Sequence, residues 1–293
     1  MIFFQYHTKN MINNVINISN TSWLETYIIE RSSYIQSGSS NTWQPISRPA
    51  IIIVPGGGYQ YIADSENEPV VFHYLKNGYS CFSLHYSVGP DSKYPRPLIE
   101  LFKAIRYVRD NSRKFGINPS AIILCGFSAG AHLVGLAATQ WYLKEFSYLC
   151  KKSNDEIKPN GVILSYPIVN NDYLIDINWK HQKKWGAMLK NKDRRLNIVN
   201  YVSEQMPPCF IWHTRTDGIV PVTQSLELVN KMIENNIPVE YHIFYEGYHG
   251  LSTNDVLSNY QGALQNGVTP FNVSKWLEMS VAWINSLCDF NIK

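Results

Sequence analysis

The chain has 293 residues, of which 45% are hydrophobic and 17% charged, and its formal net charge is +3. This apolar content can form a large buried core and excludes an intrinsically disordered chain. The net charge is too small to indicate nucleic acid as the main partner, and no apolar run approaches the ~20 residues of a membrane-spanning helix. We therefore expect a globular protein with no nucleic-acid partner and no membrane partner.

Strands and helices alternate along most of the chain. Residues 1–49 are rich in Asn, Ser and Thr and include strand-like pieces such as 26–30. Beyond them, short apolar runs predict strands at 50–54, 79–87, 121–125, 161–167, 209–214 and 239–246. Helices are predicted at 98–116, 131–139, 224–236 and 275–288. This alternation is typical of βαβ units and predicts an α/β fold, with a mainly parallel central sheet and helices on both faces.

No repeat or linker divides the chain, so we expect a single domain over residues 1–293, with N-terminal strands within 1–49. One stretch breaks the alternation. Residues 168–208 are polar, contain tryptophans and separate two buried strands. A crossover helix alone needs far fewer residues, so the sequence predicts a small lid insertion over 168–208.

The sequence Gly126-Phe127-Ser128-Ala129-Gly130 matches the pattern G-x-S-x-G. A buried strand precedes it and a helix rich in small residues follows it, which is the setting of a strained turn that exposes a nucleophilic serine. Glycines are needed there because a side chain would collide with the tight turn. The alternative is a structural turn in which Ser128 only caps the helix.

Two further loops contain the residues that a nucleophilic serine needs as base and orienting acid. Asp217 follows the strand at 209–214, and His249 follows the strand at 239–246 and precedes a glycine. Parallel strands end at one edge of a sheet, where ligands of open α/β sheets bind, so Ser128, Asp217 and His249 are expected to meet there. Taken singly, Asp217 could also be a turn residue and His249 a surface histidine.

The other histidines fit this role less well. His213 ends a strand, which is a plausible position, but it comes just before the better carboxylate candidate Asp217. His132 lies one turn beyond Ser128 on the same helix and is predicted to pack in the core, and His85 and His242 lie inside strands.

An acyl-transfer site also needs donors for the oxyanion of its tetrahedral intermediate. The backbone amides of Gly57 and Gly58 lie in the loop after the strand at 50–54, and the amide of Ala129 directly follows the serine. These three amides are the predicted oxyanion hole. The alternative, a nucleotide phosphate loop, lacks both the Lys-Ser/Thr pair and the GxGxxG spacing.

Five cysteines are scattered along the chain at positions 81, 125, 150, 209 and 288. No CxxC pair or Cys/His cluster has metal-ligand spacing, so we expect neither a metal nor a cofactor. The opening residues lack the basic start and long apolar stretch of a signal peptide. Together these features predict a cytoplasmic protein.

The motifs PGGGY, GFSAGAHLVG, PPCFIWHTRTDGIVPV and FYEGYHG resemble those of α/β-hydrolase esterases, specifically the acetyl-esterase/lipase-like group related to acetyl-xylan esterases. The resemblance covers about residues 50–287, with Pro55 in place of the histidine of the HGGG motif. It implies an α/β-hydrolase fold and a carboxylic-ester hydrolase, with Ser128 as nucleophile, His249 as base and Asp217 as its partner. It also implies Gly57, Gly58 and Ala129 as oxyanion donors.

The substrate is less well defined. We expect a short-chain acyl ester, with acetylated sugars as one class, and substrate contacts from Tyr59, Tyr86, Trp179 and Trp185. The two tryptophans could instead anchor the lid to the core. An arylformamidase-like amide hydrolase, a prolyl-oligopeptidase-like peptidase and an inactive binding protein of the same fold remain alternatives, and a homodimer remains open.

Overall fold

The computed structural model describes residues 11–29, 34–37, 42–45, 47–170, 186–259 and 272–290. The strands in these residues are β1 (Met11–Ser19), β2 (Ser22–Ile29), β3 (Tyr34–Ser37), β4 (Thr42–Pro45), β5 (Arg48–Val54), β6 (Ser80–His85), β7 (Ile117–Phe127), β8 (Gly161–Ser165), β9 (Cys209–Thr214) and β10 (Val239–Phe244).

The described α-helices are α1 (Glu68–Lys76), α2 (Arg96–Asp110), α3 (Ser112–Phe115), α4 (Ala129–Gln140), α5 (Lys144–Cys150), α6 (Asn154–Ile157), α7 (Thr223–Glu234) and α8 (Lys275–Cys288). Short 3₁₀ turns occur at Asp64–Glu66, Gly89–Asp91, Arg194–Leu196, Ile198–Tyr201 and Asn272–Ser274. Among these elements, no helix combines the length and the hydrophobicity needed to cross a bilayer.

Eight strands form one sheet in the order β1-β2-β6-β5-β7-β8-β9-β10. The strands from β6 to β10 in this order are parallel, whereas β2 pairs antiparallel with β6 and β1 antiparallel with β2. The central strand β5 is buried along its whole length, as expected for a strand covered on both faces. The predicted mainly parallel sheet is therefore confirmed.

The two faces of the sheet carry separate hydrophobic clusters. Because successive side chains along β5 point to opposite faces of the sheet, Ile52 and Val54 lie on one face, which is covered by α2, α4 and α7. Ile51 and Ile53 point to the other face, which is covered by α1 and α8. Helices cover both faces of the central strands, and the loops after β5, β7, β9 and β10 follow the carboxyl ends of these parallel strands at one edge of the sheet.

Most predicted elements agree with the structure, and β9 and α8 have the predicted ends. Three differ. The helix predicted at 98–116 is divided at Asn111, whose side chain donates to the carbonyl of Tyr107 before the separate turn α3 begins. Strand β7 begins earlier than predicted, at Ile117. Helix α1 was not predicted, because its nine residues give too little periodicity.

The predicted lid at 168–208 is described only in part. Residues 186–208 contain the two 3₁₀ turns Arg194–Leu196 and Ile198–Tyr201, and Leu196 and Ile198 are fully buried against the core. Residues 171–185 lie outside the described residues.

Candidate active site

Ser128 stands at the sharp junction between β7 and α4. Its φ of 51° and ψ of −116° lie outside the regions that non-glycine residues ordinarily occupy. The amide of Ser128 donates to the carbonyl of Ser165 at 3.0 Å, so pairing with the end of β8 holds the strained residue in place. A serine in this conformation, 8% exposed, projects its hydroxyl from the sheet edge.

The two glycines of the G-x-S-x-G motif are required by close packing. A Cβ atom on Gly130 would lie 2.0 Å from the carbonyl oxygen of Val54, and one on Gly126 would lie 2.6 Å from the carbonyl oxygen of Gly130. Any side chain at either position would therefore push helix α4 away from strands β5 and β7. This explains locally why the sequence needs glycine on each side of Ser128.

Ser128, His249 and Asp217 form a continuous chain of hydrogen bonds. The Ser128 Oγ lies 2.7 Å from His249 Nε2, and His249 Nδ1 lies 2.7 Å from Asp217 Oδ2. A carboxylate only accepts, so Nδ1 carries a proton, and Nε2 of the neutral ring is left to accept the serine proton. The structure thus brings together the three residues predicted from the sequence, in the orientation that proton transfer from Ser128 requires.

Asp217 is held by four donors. Its Oδ1 accepts from the amides of Ile219 at 2.8 Å and Val220 at 2.9 Å, and its Oδ2 accepts from His249 and, at 3.1 Å, from His213. Burial acts to raise the pKa of Asp217. The charge of His249 and the hydrogen bonds from both histidines outweigh burial and hold the pKa well below its ordinary value. Asp217 is therefore an ionised carboxylate.

His213 is a contact of the site that the sequence did not assign. It is fully buried at the end of β9, and its Nε2 lies 2.9 Å from the carbonyl oxygen of Val220 as well as 3.1 Å from Asp217 Oδ2. Because both are acceptors, Nε2 must be the protonated nitrogen. The sequence feature that indicated this contact was spacing: His213 lies at the end of a predicted strand, and Asp217 follows it by four residues in the next loop.

The loop after β5 contains the predicted oxyanion donors. Gly57 has a φ of 110° and Gly58 a φ of 62°, and a Cβ atom on Gly57 would lie 2.2 Å from the carbonyl oxygen of Tyr61. The carbonyl of Gly56 accepts from Ala63, and that of Gly57 accepts from Gln60 at 2.9 Å. Since C=O and N–H point in opposite directions in a trans peptide, these bonds turn the amides of Gly57 and Gly58 away from residues 60–63.

The availability of these amides differs along the loop. The amide of Gly56 donates to Glu66 Oε2 at 2.7 Å, whereas the described residues offer the amides of Gly57 and Gly58 no acceptor. The amide of Ala129 belongs to the first turn of α4, where amides have no partner within the helix. The three predicted donors are thus free of the contacts that would prevent them from binding an anion.

The predicted substrate contacts of Tyr59 and Tyr86 need correction. Tyr59 is fully buried and its hydroxyl lies 2.8 Å from His132 Nδ1, and Tyr86 is 1% exposed and donates to the carbonyl of Pro55 at 2.8 Å. Both rings therefore support the glycine loop from the core side instead of facing a substrate. His132 packs there as predicted.

The predicted contacts of Trp179 and Trp185 fall in 171–185, outside the described residues. The described residues contain no cluster of three or more His, Cys, Asp or Glu side chains that could hold a metal ion.

Comparison with known proteins supports this picture. A profile of the BD-FAE family matches residues 39–232. An acetylxylan esterase of Xylanibacter ruminicola is 28% identical over 69% of this chain and 40% of its own length. The chain spans about a third to a half of the length of the curated relatives that it matches.

Solved structures match along nearly their full length. An α/β-hydrolase enzyme from a Medee basin deep-sea metagenome library, MGS-M1, has a TM-score of 0.73 and 31% identity, covering 96% of this chain and 100% of that one. An acetyl ester-xyloside bifunctional hydrolase from Caldicellulosiruptor lactoaceticus has a TM-score of 0.71 and 29% identity, covering 95% and 97%. The predicted α/β-hydrolase fold is confirmed, and the chain belongs to the BD-FAE family of α/β-hydrolases.

Proposed function

We propose that the chain is a serine-dependent carboxylic-ester hydrolase that acts on short-chain acyl esters through an acyl-enzyme intermediate. The observation that carries this proposal is the unbroken line from Ser128 Oγ to His249 to Asp217, with both steps at 2.7 Å. A nucleophile, a base and an orienting carboxylate in this arrangement are the requirements of acyl transfer.

In the proposed reaction, His249 Nε2 takes the proton of Ser128 as Oγ attacks the ester carbonyl. The amides of Gly57, Gly58 and Ala129 stabilise the oxyanion of the tetrahedral intermediate. The imidazolium, stabilised by Asp217, then protonates the departing alcohol and leaves an acyl group on Ser128. A water molecule activated by the same histidine releases the acid and restores the serine.

For the substrate class, we propose acetylated sugars. The named relatives support this: one is an acetylxylan esterase and another an acetyl ester-xyloside bifunctional hydrolase. Because Tyr59 and Tyr86 are enclosed, we propose Tyr61, whose ring packs on Gly57 and is 61% exposed, as a sugar contact in addition to the predicted Trp179 and Trp185.

The test is a hydrolysis panel of p-nitrophenyl acetate, acetylated xylo-oligosaccharides, N-formylkynurenine and a prolyl peptide. We expect acetyl esters to be hydrolysed, and Ser128→Ala to lose on the order of 10⁶-fold in kcat while circular dichroism stays unchanged. Alanine fits the space of serine, so the turn should survive the substitution.

Other outcomes identify the alternatives. Faster hydrolysis of N-formylkynurenine would indicate an arylformamidase-like enzyme, and cleavage of the peptide a prolyl-oligopeptidase-like one. No turnover of any substrate by folded protein would indicate an inactive binding protein. Full turnover by folded Ser128→Ala would overturn the assignment of the nucleophile.

We also propose a cytoplasmic location. All five cysteines are free and four of them are buried, an arrangement that suits a reducing compartment. Fractionation of the native host tests this location. The sequence left the oligomeric state open between monomer and homodimer, and light scattering on purified protein would distinguish the two.

A further inference from the structure

A buried carboxyl group lies behind the glycine loop. Glu66 ends the 3₁₀ turn Asp64–Glu66 and is 3% exposed. Its Oε2 accepts from the amide of Gly56 at 2.7 Å, and its Oε1 accepts from the hydroxyl of Tyr166 at 2.7 Å. The proton-transfer steps proposed above do not use this carboxyl group.

Glu66 fixes the start of the glycine loop. A Cβ atom on Gly56 would lie 2.7 Å from Glu66 Oε2 and 3.0 Å from the Cβ of Ser128, so Gly56 lies between the carboxyl group and the candidate nucleophile. The carbonyl of Gly56 is held by the amide of Ala63 at 3.2 Å. Both sides of Gly56 are therefore anchored to residues 63–66, and the direction of the next amide, that of Gly57, follows from this anchoring.

Tyr166 connects Glu66 to the loop that carries His249. It directly follows β8, has a φ of 40° and is 1% exposed. Its hydroxyl donates to Glu66 and accepts from the amide of Ser252 at 3.1 Å. Its ring meets the imidazole of His249 edge to face, with centroids 5.0 Å apart. The hydroxyl of Ser252 donates in turn to the carbonyl of Ser65 at 2.5 Å.

Each carboxyl oxygen of Glu66 has its own hydrogen-bond donor. The hydroxyl of Tyr166 donates to Oε1, and the amide of Gly56 donates to Oε2. Both carboxyl oxygens are thus acceptors. Burial raises the pKa of Glu66, while the hydrogen bonds from Tyr166 and Gly56 and the charge of His249 oppose that rise.

We propose that Glu66 and Tyr166 are positioning residues that set the oxyanion donors and the His249 ring relative to each other, by joining the loops after β5, β8 and β10. This inference rests on the ester hydrolysis proposed above. Neither side chain is proposed to touch the substrate. Because the joined groups act on the transition state, the loss on removing the link falls on kcat more than on KM.

Two substitutions test the link. Glu66→Gln keeps the shape but presents an amide NH₂ to one of the two donors, so either the Gly56 amide or the Tyr166 hydroxyl loses its acceptor. Tyr166→Phe removes the hydroxyl and keeps the ring against His249. For p-nitrophenyl acetate, we expect each variant to lose about 10- to 100-fold in kcat with KM within about threefold. We expect the double variant to lose little more than either single one, because both act through one link.

Matched controls are available in the same chain. Glu100 is also buried and accepts from the Ser87 amide and hydroxyl, and the buried Tyr74 hydroxyl lies 2.8 Å from the Ser280 hydroxyl. Glu100→Gln and Tyr74→Phe lose a buried hydrogen bond of similar kind away from Ser128. We expect them to keep kcat within about twofold even where Tm falls as much as in the test variants.

The outcomes separate the two proposals. If the wild-type protein hydrolyses no ester, the proposed function fails. If the wild type is active and folded Glu66→Gln and Tyr166→Phe keep its kcat, only the positioning role fails. A loss of kcat that follows Tm equally in test and control variants would also overturn it. If Glu66→Gln does not fold, Tyr166→Phe decides alone, since it removes one oxygen atom.

Discussion

The two sides of Ser128 are each built around a buried carboxylate, Asp217 on the histidine side and Glu66 on the oxyanion side. Asp217 is 8% exposed and Glu66 3% exposed, yet their pKa values move in opposite directions, down for Asp217 and up for Glu66. Asp217 accepts four hydrogen bonds and Glu66 two. Burial alone therefore does not decide the charge of an acid. The number and charge of the groups that donate hydrogen bonds to the acid also set its pKa.

The two carboxylates also differ in how directly they reach the chemistry. Asp217 contacts His249 itself, with Oδ2 and Nδ1 2.7 Å apart, so it can fix the tautomer of the base. Glu66 reaches the site only through the Gly56 amide and the Tyr166 hydroxyl. We therefore expect Asp217→Asn to lower kcat far more than Glu66→Gln does.

The largest effect in this comparison is expected from Asp217→Asn. The asparagine amide would favour the wrong tautomer of His249, and the analogous substitution in a Ser-His-Asp triad lowers kcat by ~10⁴. We expect a loss of this order in p-nitrophenyl acetate hydrolysis, about a hundred to a thousand times the loss for Glu66→Gln. Near-normal kcat in folded Asp217→Asn would mean that another acid orients the base.

The next effect concerns His213, which supports Asp217 from within the core. His213→Phe keeps a ring but leaves Asp217 Oδ2 and the Val220 carbonyl each without one donor. We expect kcat to fall about tenfold, equivalent to ~1.4 kcal/mol of lost transition-state stabilisation. His213→Gln, which restores one N–H donor, should recover part of the loss.

A control for His213 lies on the neighbouring strand β10. His242 is adjacent to Trp212 in the register of β9 and β10 and lies 2.8 Å from Glu240 Oε1 through its Nε2. His242→Phe should leave kcat unchanged. If it reduces kcat as much as His213→Phe does, the loss reflects general disturbance of the sheet edge and the contact with Asp217 is not responsible.

A smaller effect is expected in the pH dependence of stability, and it has opposite signs on the two sides. The lowered pKa of Asp217 means that its carboxylate stabilises the folded state above the ordinary value of 3.8, and that this contribution is lost as pH falls through the lower folded value. The pKa of Glu66 is raised, so the stability that Glu66 contributes is fully present below the ordinary value of 4.5. Its contribution is lost as pH rises from 4.5 towards the higher folded value.

Urea unfolding of the wild type, Asp217→Asn and Glu66→Gln between pH 3 and 8 measures this contrast. The free energy of unfolding of the wild type minus that of Asp217→Asn should grow as pH rises through the acidic range. The free energy of unfolding of the wild type minus that of Glu66→Gln should shrink as pH rises above 4.5. If both differences change in the same direction, the pKa values of Asp217 and Glu66 are not shifted in opposite directions.

The sequence predicted the residues that lie at strand ends better than those that support them. Ser128, Asp217 and His249 could be predicted to meet because parallel strands end at one edge, and the structure joins them by hydrogen bonds. Glu66 could not be predicted. Its partner Tyr166 is 100 residues away, and only the packed fold brings the two together.

The aromatic residues show a second limit of the sequence. Tyr59 directly follows three glycines, a position that suggested a substrate contact, but its φ of 57° and the hydrogen bond to His132 turn its side chain into the core. Helix α1 was missed because a short helix is stabilised by packing of residues such as Val70 and Tyr74 and not by its own periodicity.

The smallest expected effect concerns the length of the acyl chain, and it tests how tightly the oxyanion side is closed. The amide of Gly186 donates to the carbonyl of Gly58 at 2.8 Å, and a Cβ atom on Gly186 would lie 2.1 Å from the carbonyl oxygen of Tyr59. The chain at residue 186 therefore packs directly on the glycine loop, whose core side is filled by Tyr59 and Tyr86. A pocket that could bury a longer acyl chain would gain up to ~0.8 kcal/mol for each CH₂ group, about fourfold in kcat/KM. We expect no such gain beyond butyryl, so kcat/KM for p-nitrophenyl esters should peak at two to four acyl carbons. A peak at eight or more carbons would require an apolar channel beside this loop and would contradict the closed packing around Gly58.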